Sequence, residues 1–180
     1  GNMTDSGALT ITGTSSFTTS ANNADIILNN TNAFTGAVSL NTTGSEFGSS
    51  GDATIDNGTT ALILAASSVG GNLNVRSGNS ITDSGTVTVG GTLVATTDAN
   101  NGVINLDQLA INNGIHLRTH GNGNATAVND AGFLFGGSGS TVGGNLSATA
   151  TTGNMTDNND GSVTVAGTSS FTTSASNADI

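Results

Sequence analysis

The sequence predicts an all-β protein that folds as a parallel β-helix, or β-solenoid, with coils of about 18–20 residues. Its apolar residues recur in short runs with period two, which is the pattern of half-buried strands. The helix formers Glu, Gln and Arg are nearly absent and Lys is absent, so helices are poorly supported. The phrase VGGNL at residues 69–73 returns as VGGTL at residues 89–93, and this recurrence matches the size of one solenoid coil.

Composition favours a folded β protein over a disordered chain. The 180 residues include 27 Gly and only 8% charged residues, and Thr, Ser and Asn take most polar positions. Chains rich in Gly and Ser are often disordered. Here, however, 34% of the residues are hydrophobic and fall in alternating runs, while Pro and Lys are absent and Glu occurs once. The alternation therefore predicts strands with a buried face.

The negative net charge of the chain limits the kinds of partner that it can bind. The net charge is −10 and the basic residues are Arg76 and Arg118, so the chain is not expected to bind nucleic acid. No apolar run approaches the roughly 20 residues that cross a bilayer, and no signal peptide is visible, so no membrane span is expected. The absence of Cys is compatible with an exported bacterial protein.

Apolar runs alternate with turns of Gly, Asn, Asp and Ser along the whole chain, spaced by about 6–12 residues as in all-β proteins. We predict strands around residues 9–11, 17, 26–28, 34, 38–40, 55, 62–64, 69, 73–75, 81, 87–89, 93–94, 103–106, 109–111, 115–117, 128, 133–135, 142, 146, 155, 163–165 and 171. Gly and Asn suit the corners between them because both tolerate positive φ.

A longer repeat is superimposed on the coils. Residues 1–26 return at residues 153–180 with two extra residues in the turn after Asp157, and a third copy lies at residues 79–91. Ile11, Val89 and Val165 hold equivalent positions in the three copies. We therefore predict one continuous solenoid over residues 1–180, with long repeats at about 1–77 and 78–152 and a further copy beginning at 153. At four coils per long repeat, nine or ten coils would form a rod of about 45 Å.

A β-sandwich or barrel is the structural alternative. Its strands would be joined by hairpins, and the chain contains many Asn-Gly, Asp-Gly and Gly-Asn pairs. The repeating unit, however, recurs without a distinct terminal sequence, which favours an open array over a closed domain.

The runs GNMTDSGALTITGTSSFTTSANNADIILNN, NAFTGAVSLN and SSVGGNLNV resemble the repeats of filamentous haemagglutinin-like and autotransporter-like giant bacterial surface proteins. The resemblance covers most of the chain except residues 44–60 and 119–140. It implies a right-handed parallel β-helix, an extracellular or bacterial cell-surface location, and a role in adhesion, biofilm or surface filaments.

Basic side chains are concentrated at His116, Arg118 and His120. They alternate with Ile115 and Leu117, so we expect them on the outer, solvated face of one strand. The two histidines would be about 13 Å apart along a strand, too far to share one metal ion.

Acidic turn residues raise the question of Ca²⁺. The turn at residues 157–161 (DNNDG) resembles a calcium loop, which makes Asp157 and Asp160 candidate ligands. The closing Glu of such a loop is missing and the equivalent turns in the other copies are poorer in ligands, so a solvated turn is favoured and no cofactor is predicted. Glu46 is the sole Glu and the Asp residues are scattered, so no enzyme is predicted.

Threonines next to inward apolar residues are candidates for an outward surface: Thr10, Thr12, Thr86 and Thr88. Flat Thr arrays on solenoids can bind ice, but these copies would be separated by about four coils, or about 19 Å. The pattern favours hydroxyl ladders of good β formers over an ice-binding lattice.

The sequence therefore predicts a non-enzymatic, structural segment of a large extracellular repeat protein that acts as a rigid rod or spacer. The alternatives are a fibre subunit that stacks end to end and a glycan-binding adhesin. The expected partners are neighbouring repeats or identical copies at the ends of the rod, and a glycan or protein of a host or neighbouring cell.

Overall fold

The computed structural model describes residues 1–44, 50–136, 139–158 and 161–180 and confirms the predicted fold class. The described residues form 22 strands and no helix, and all of their strand pairings are parallel. The chain makes about seven turns of a β-solenoid. No helix that could span a membrane occurs in the described part of the chain.

The strands of the first half are β1 (Met3–Thr4), β2 (Thr10–Ile11), β3 (Ser15–Thr18), β4 (Ile26–Leu28), β5 (Ala33–Phe34), β6 (Val38–Asn41), β7 (Ala53–Asp56), β8 (Leu62–Leu64), β9 (Ser67–Val69), β10 (Leu73–Ser77), β11 (Ile81–Asp83) and β12 (Val87–Val89). Those of the second half are β13 (Leu93–Asn100), β14 (Ile104–Ile111), β15 (Ile115–His120), β16 (Ala125–Asn129), β17 (Phe133–Phe135), β18 (Ser140–Val142), β19 (Leu146–Ala150), β20 (Met155–Asp157), β21 (Val163–Val165) and β22 (Ser169–Thr173).

Two long sheets run along the axis of the solenoid. The first sheet has eight strands in the order β1-β4-β7-β10-β13-β15-β18-β21, one from each successive coil. The second sheet has ten strands and contains β3, β6, β8, β9, β11, β12, β14, β16, β19 and β22. Two short sheets of two strands each complete the coils near the start (β2-β5) and near the end (β17-β20) of the chain.

The coils are longer than predicted, except for two. In the first sheet, Met3 pairs with Ile26, and the stack continues through Ala53, Leu73, Leu93 and Ile115. The two coils between Ala53 and Leu93 keep the spacing of the VGG phrases, whereas the coils before and after them are longer. The coil between Ile26 and Ala53 is the longest of this series. Because the other corners hold extra residues, the prediction of nine or ten coils is wrong and there are about seven turns.

Alternating side chains build a continuous core along the axis. Inward residues are fully buried in most strands, as in Leu73 and Val75 of β10, while their outward neighbours are exposed. In the last third the inward residues of β16 and β19 are mostly alanines, whereas the inward residues of β17 are the phenylalanines Phe133 and Phe135. Phe133 and Phe135 stack 4.7 Å apart, and Phe171 packs edge-on against Phe135 at 5.6 Å.

The long repeat does not match a whole number of turns. Three turns from Met3 end at Leu73, but the next copy of its motif begins farther along, at Ile81. Three turns from Ile81 end at Leu146, but the third copy begins only at Met155. The prediction of four coils per long repeat is therefore wrong. Met3 lies in the first sheet, Ile81 in the second and Met155 in the β17-β20 sheet, so the motif spirals around the rod.

Candidate functional site

The threonines predicted to face outward are exposed but do not share a surface. Thr10 and Thr12 lie on or beside β2, whereas Thr86 and Thr88 lie on or beside β12 in the second sheet. Thr88 is flanked on the neighbouring coils by Ser68 and Ala110. Because the motif moves to another sheet at each recurrence, its threonines cannot form one flat array.

The prediction of a solvated outer face is wrong for His116. The residue lies on the side of β15 opposite the core, as the alternation with Ile115 and Leu117 predicts, but only 3% of it is exposed. The backbone of Gly139, one coil later, hydrogen-bonds to the imidazole and helps to cover it. Among the described atoms, its Nδ1 is buried without a hydrogen-bond partner. Arg118 is half-buried between Thr96 and Thr141, and the side chains of this strand do not converge on one site.

Burial lowers the pKa of the His116 imidazole below its usual 6.5, and the nearby positive charge of Arg118 lowers it further, while the hydrogen bond of the imidazole with the backbone of Gly139 acts in the opposite direction. The unfolded chain then binds a proton on acidification before the folded chain does, so stability falls as the pH drops through the unfolded value. We expect His116→Gln to lose less stability than the wild type between about pH 7.5 and about pH 5. Urea unfolding at the two pH values measures this difference. His120→Gln, at an exposed position of the same strand, is the control, and equal pH dependence of wild type and His116→Gln would contradict the expectation.

The structure describes the candidate Ca²⁺ turn only in part. Asp157 is exposed at the end of β20, and Asp160 lies outside the described residues, as does Glu46. In the ranges that the structure describes, no group of three or more His, Cys, Asp or Glu side chains could hold a metal ion.

Buried polar side chains at the corners are the functional residues that the sequence interpretation missed. Asn57 is fully buried: its Oδ1 accepts a hydrogen bond from the N–H of Phe34 at 2.7 Å, and its Nδ2 donates to the Phe34 carbonyl at 3.0 Å. The same Nδ2 also lies within 3.2 Å of the carbonyls of Thr60 and Ala61. The side-chain amide of Asn57 thus makes hydrogen bonds both within its own corner and to the preceding coil.

Asn129 repeats this arrangement on a later coil. Its Oδ1 accepts from the N–H of Ile111 at 2.8 Å, and its Nδ2 donates to the carbonyls of Ile111 and Gly132, both at 2.7 Å. Asn32 makes a related arrangement in the second coil: its Oδ1 accepts from the N–H of Leu9 at 2.7 Å, and its Nδ2 donates to the carbonyl of Leu28 at 3.0 Å. At other corners a hydroxyl group donates a hydrogen bond across the corner. Thr97 Oγ1 donates to the carbonyl of Gly102, and Thr119 Oγ1 donates to the carbonyl of Gly123.

A signal for these residues exists in the sequence. Asn57 continues the inward series of Ala53 and Ile55, and Asn129 continues that of Ala125 and Ala127. Ser77, Thr97 and Thr119 likewise stand two residues beyond an inward apolar residue and are buried. A polar residue at the next inward position of a period-two run therefore marks a corner of the solenoid.

A second ladder runs along the surface of one corner. The N–H of Asp25 donates to Asn2 Oδ1, that of Asp52 to Asp25 Oδ1, and that of Asn72 to Asp52 Oδ1, at 2.7–3.0 Å. The N–H of Thr92 continues the series by donating to Asn72 Oδ1 at 2.9 Å. Side-chain oxygens thus link backbone groups of successive coils along the axis, which adds cohesion to the sheet hydrogen bonds.

The two ends of the stack expose its core. Among the described residues, the partly buried hydrophobic side chains that pack on the core all belong to the first or last coil: Leu9, Ile11, Phe17, Val163 and Val165. Phe171 and Ile180 are more exposed still, at 38% and 72%. Together with Phe135, Met155 and Val163 they line a largely apolar recess of about 230 Å³ at the end of the last coil.

A family model described as repeats of unknown function (DUF5649) matches residues 1–41, 50–131 and 122–180. No curated protein and no solved structure matches the chain. The family match covers most of the sequence and fits the internal repetition of the fold.

Proposed function

This chain belongs to the DUF5649 repeat family, and from that premise we propose that it is a non-enzymatic, rigid rod that spaces or stiffens a larger extracellular protein. The observation that carries the proposal is axial cohesion. A continuous apolar core, two long parallel sheets and side-chain ladders at the corners all join each coil to the next.

Such a stack resists bending because a bend must open coils on one side. Opening a coil would break parallel-sheet hydrogen bonds. It would also break the hydrogen bonds that side chains such as those of Asn57 and Asn129 make to the preceding coil. A buried polar group left without a partner costs about 1–3 kcal/mol. The stiffness therefore comes from bonds that are spread over every coil rather than from one site.

The bacterial cell surface is the proposed location, and adhesion or an extracellular filament the proposed setting. The resemblance to filamentous haemagglutinin-like and autotransporter-like repeats supports this proposal, as does a chain without Cys whose outer face is rich in hydroxyl and amide groups. Antibodies raised against the 180 residues should label intact, unpermeabilised cells that produce the protein. Labelling that needs permeabilised cells would contradict an extracellular location.

Distances between paired spin labels test the rod. The chain has no Cys, so Thr4→Cys, Asn74→Cys and Thr164→Cys give unique labelling sites at exposed positions on the first, fourth and eighth strands of the first sheet. At about 4.8 Å per coil, the label pair at positions 4 and 164 should be about 34 Å apart. The pair at positions 74 and 164 should be about 19 Å apart.

Both distance distributions should be narrow, and the samples should be diluted with unlabelled protein so that only distances within one chain contribute. The shorter pair is the internal control, because label flexibility broadens both distributions equally. A long-pair distribution much broader than the short-pair distribution would show a bending or fraying stack, and the rod proposal would fail.

A further inference from the structure

We propose that a cleft on the side of the solenoid, centred on Arg76, binds a neutral oligosaccharide. Residues of the second to fifth coils line this cleft, among them Thr31, Asp56, Thr59, Thr60, Arg76 and Asp98. This inference goes beyond the rod proposal, since a rod can be rigid without binding a ligand. The spin-label distances and the binding of a sugar can therefore fail separately.

The cleft lies away from both ends of the stack. Thr31 follows β4, Arg76 lies in β10 and Asp98 lies in β13, which are the second, fourth and fifth strands of the first sheet. The chain itself supplies a coil before the second one and further coils after the fifth one. Coils added at either end would lengthen the rod without covering this side of it.

The size of the cleft suits an elongated small ligand. Its volume is about 560 Å³, within the range of about 300–1,000 Å³ that is usual for small-molecule sites. At about 4.8 Å per coil, the three steps from the coil of Thr31 to the coil of Asp98 span about 14 Å along the axis. A short sugar chain lying parallel to the axis would contact all four coils.

Three charged side chains place hydrogen-bond donors and acceptors side by side in the cleft. Arg76 Nε donates to Asp98 Oδ2 at 2.5 Å and lies 4.0 Å from Asp56 Oδ2. The Arg76 side chain is 57% exposed, and ion pairs as exposed as this one contribute little to stability. The cluster therefore adds little to the fold, but it holds a guanidinium donor between two carboxylate acceptors.

The charge of the cluster favours a neutral ligand. Its two carboxylates outnumber its one guanidinium, and the whole chain carries a net charge of −10, so anionic glycans are repelled. A cationic ligand would meet the positive charge of Arg76. Sugar hydroxyl groups avoid both conflicts, because the same group can donate to Asp56 or Asp98 and accept from Arg76. The exposed hydroxyls of Thr31 and Thr59 add further donors and acceptors of the same kind.

Hydrogen bonds of the chain hold one wall of the cleft in place. The N–H of Thr60 donates to the carbonyl of Asn57 at 3.0 Å, and the carbonyl of Thr60 accepts from Ser77 Oγ at 2.8 Å. The N–H of Gly58 donates to Asp56 Oδ1 at 2.8 Å, which orients this carboxylate. Because these bonds are present without a ligand, binding needs to order fewer groups of the protein.

A glycan array tests the class of ligand. The 180-residue chain should bind immobilised neutral oligosaccharides built of hexose or N-acetylhexosamine units, and it should leave sulfated and sialylated glycans unbound. An isotope-labelled chain is then titrated with the bound oligosaccharide in solution and followed by nuclear magnetic resonance. The backbone amides of residues 31–33, 56–60, 76–78 and 98 should shift.

Variants test the cluster. Arg76→Ala and Asp98→Ala each remove a charged hydrogen-bonding partner, so each should weaken the affinity for that oligosaccharide by about tenfold or more. Asn74→Ala is the matched control, because Asn74 is exposed on the same strand as Arg76 but does not line the cleft, and its affinity should be unchanged.

The proposal would be overturned by a wild type that binds no neutral oligosaccharide, or by one that binds anionic glycans alone. Amide shifts confined to other coils would overturn it as well, as would an affinity that neither Arg76→Ala nor Asp98→Ala changes. Circular dichroism and urea unfolding establish that the variants fold, as expected for substitutions of exposed side chains. Should a variant fail to fold, the amide shifts of the wild type decide where the sugar binds.

Discussion

Replacing Asn57 by alanine should lower the free energy of unfolding by about 3–5 kcal/mol. The truncation leaves the N–H and the carbonyl of Phe34 without their partner, in a corner where Asn57 itself has no exposed surface. Each buried polar group left unsatisfied costs about 1–3 kcal/mol, and the truncation also leaves a cavity. Urea unfolding followed by circular dichroism measures the loss.

Asn57→Asp sharpens the test because it keeps the acceptor for Phe34 and replaces the donor. An ionised carboxylate would face the carbonyl oxygens of Phe34, Thr60 and Ala61, so the pKa of the new carboxyl should rise in the folded state. Its stability should therefore improve as the pH falls towards about 4 and worsen as the pH rises.

Asn74→Ala is the matched control, since Asn74 is exposed on the outer side of β10 and should change stability by less than about 0.5 kcal/mol. Equal, small losses for Asn57→Ala and Asn74→Ala would show that the buried amide does not hold the coils together. The rod proposal would then lose the corner ladders, one of the three features on which it rests, and only the core and the two long sheets would support it.

The strand content of this fold could be predicted because it depends on local alternation. Leu73 and Val75 are buried on either side of an exposed Asn74, as their period-two pattern indicates. The parallel stacking followed from the recurrence of the VGG phrases, whose strands β10 and β13 pair residue by residue. Both signals are carried by neighbouring residues or by near-identical phrases, so a single sequence is enough.

The number of coils could not be obtained in the same way. It depends on how many residues each corner holds, and the corners tolerate insertions without a change in the flanking strands. The coil from Ile26 to Ala53 is clearly longer than the coil from Ala53 to Leu73, although both stack in one sheet. The long repeat conceals the turn length because it ends part-way around a coil.

His116 shows why exposure is harder to predict than direction. Its side of β15 follows from alternation, but its burial depends on Gly139 in the next coil. For the buried asparagines, the inward direction of the side chain was the feature that the sequence interpretation missed. Asn57 and Asn129 look like ordinary turn residues until the inward series is continued by one step, and their hydrogen-bond partners lie on the preceding coil.

The glycine pair at residues 143–144 explains why the repeated VGG phrase contains glycine. A Cβ on Gly144 would lie 2.5 Å from the carbonyl oxygen of Asn122, and a Cβ on Gly143 would overlap the carbonyl oxygen of Gly121. The N–H of Gly143 donates to Thr119 Oγ1 at 3.0 Å, and the hydroxyl of Thr119 donates to the carbonyl of Gly123. Successive coils thus approach here at a distance that only glycine permits.

Gly143→Ala should therefore destabilise the protein by about 3 kcal/mol, the upper range for forcing an extra methyl group into a packed site. The obstacle is a backbone oxygen, so the coil must move away from its neighbour and stretch the bonds around Thr119. Gly13→Ala is the matched control because its Cβ would have no heavy atom within 4 Å. That control should be neutral or gain up to about 1 kcal/mol from the stiffer unfolded chain. The urea midpoints of the two variants measure this difference. If the Gly143→Ala protein were as stable as the Gly13→Ala protein, the coils could separate freely at this corner. A stack with coils that separate so easily could not act as a rod.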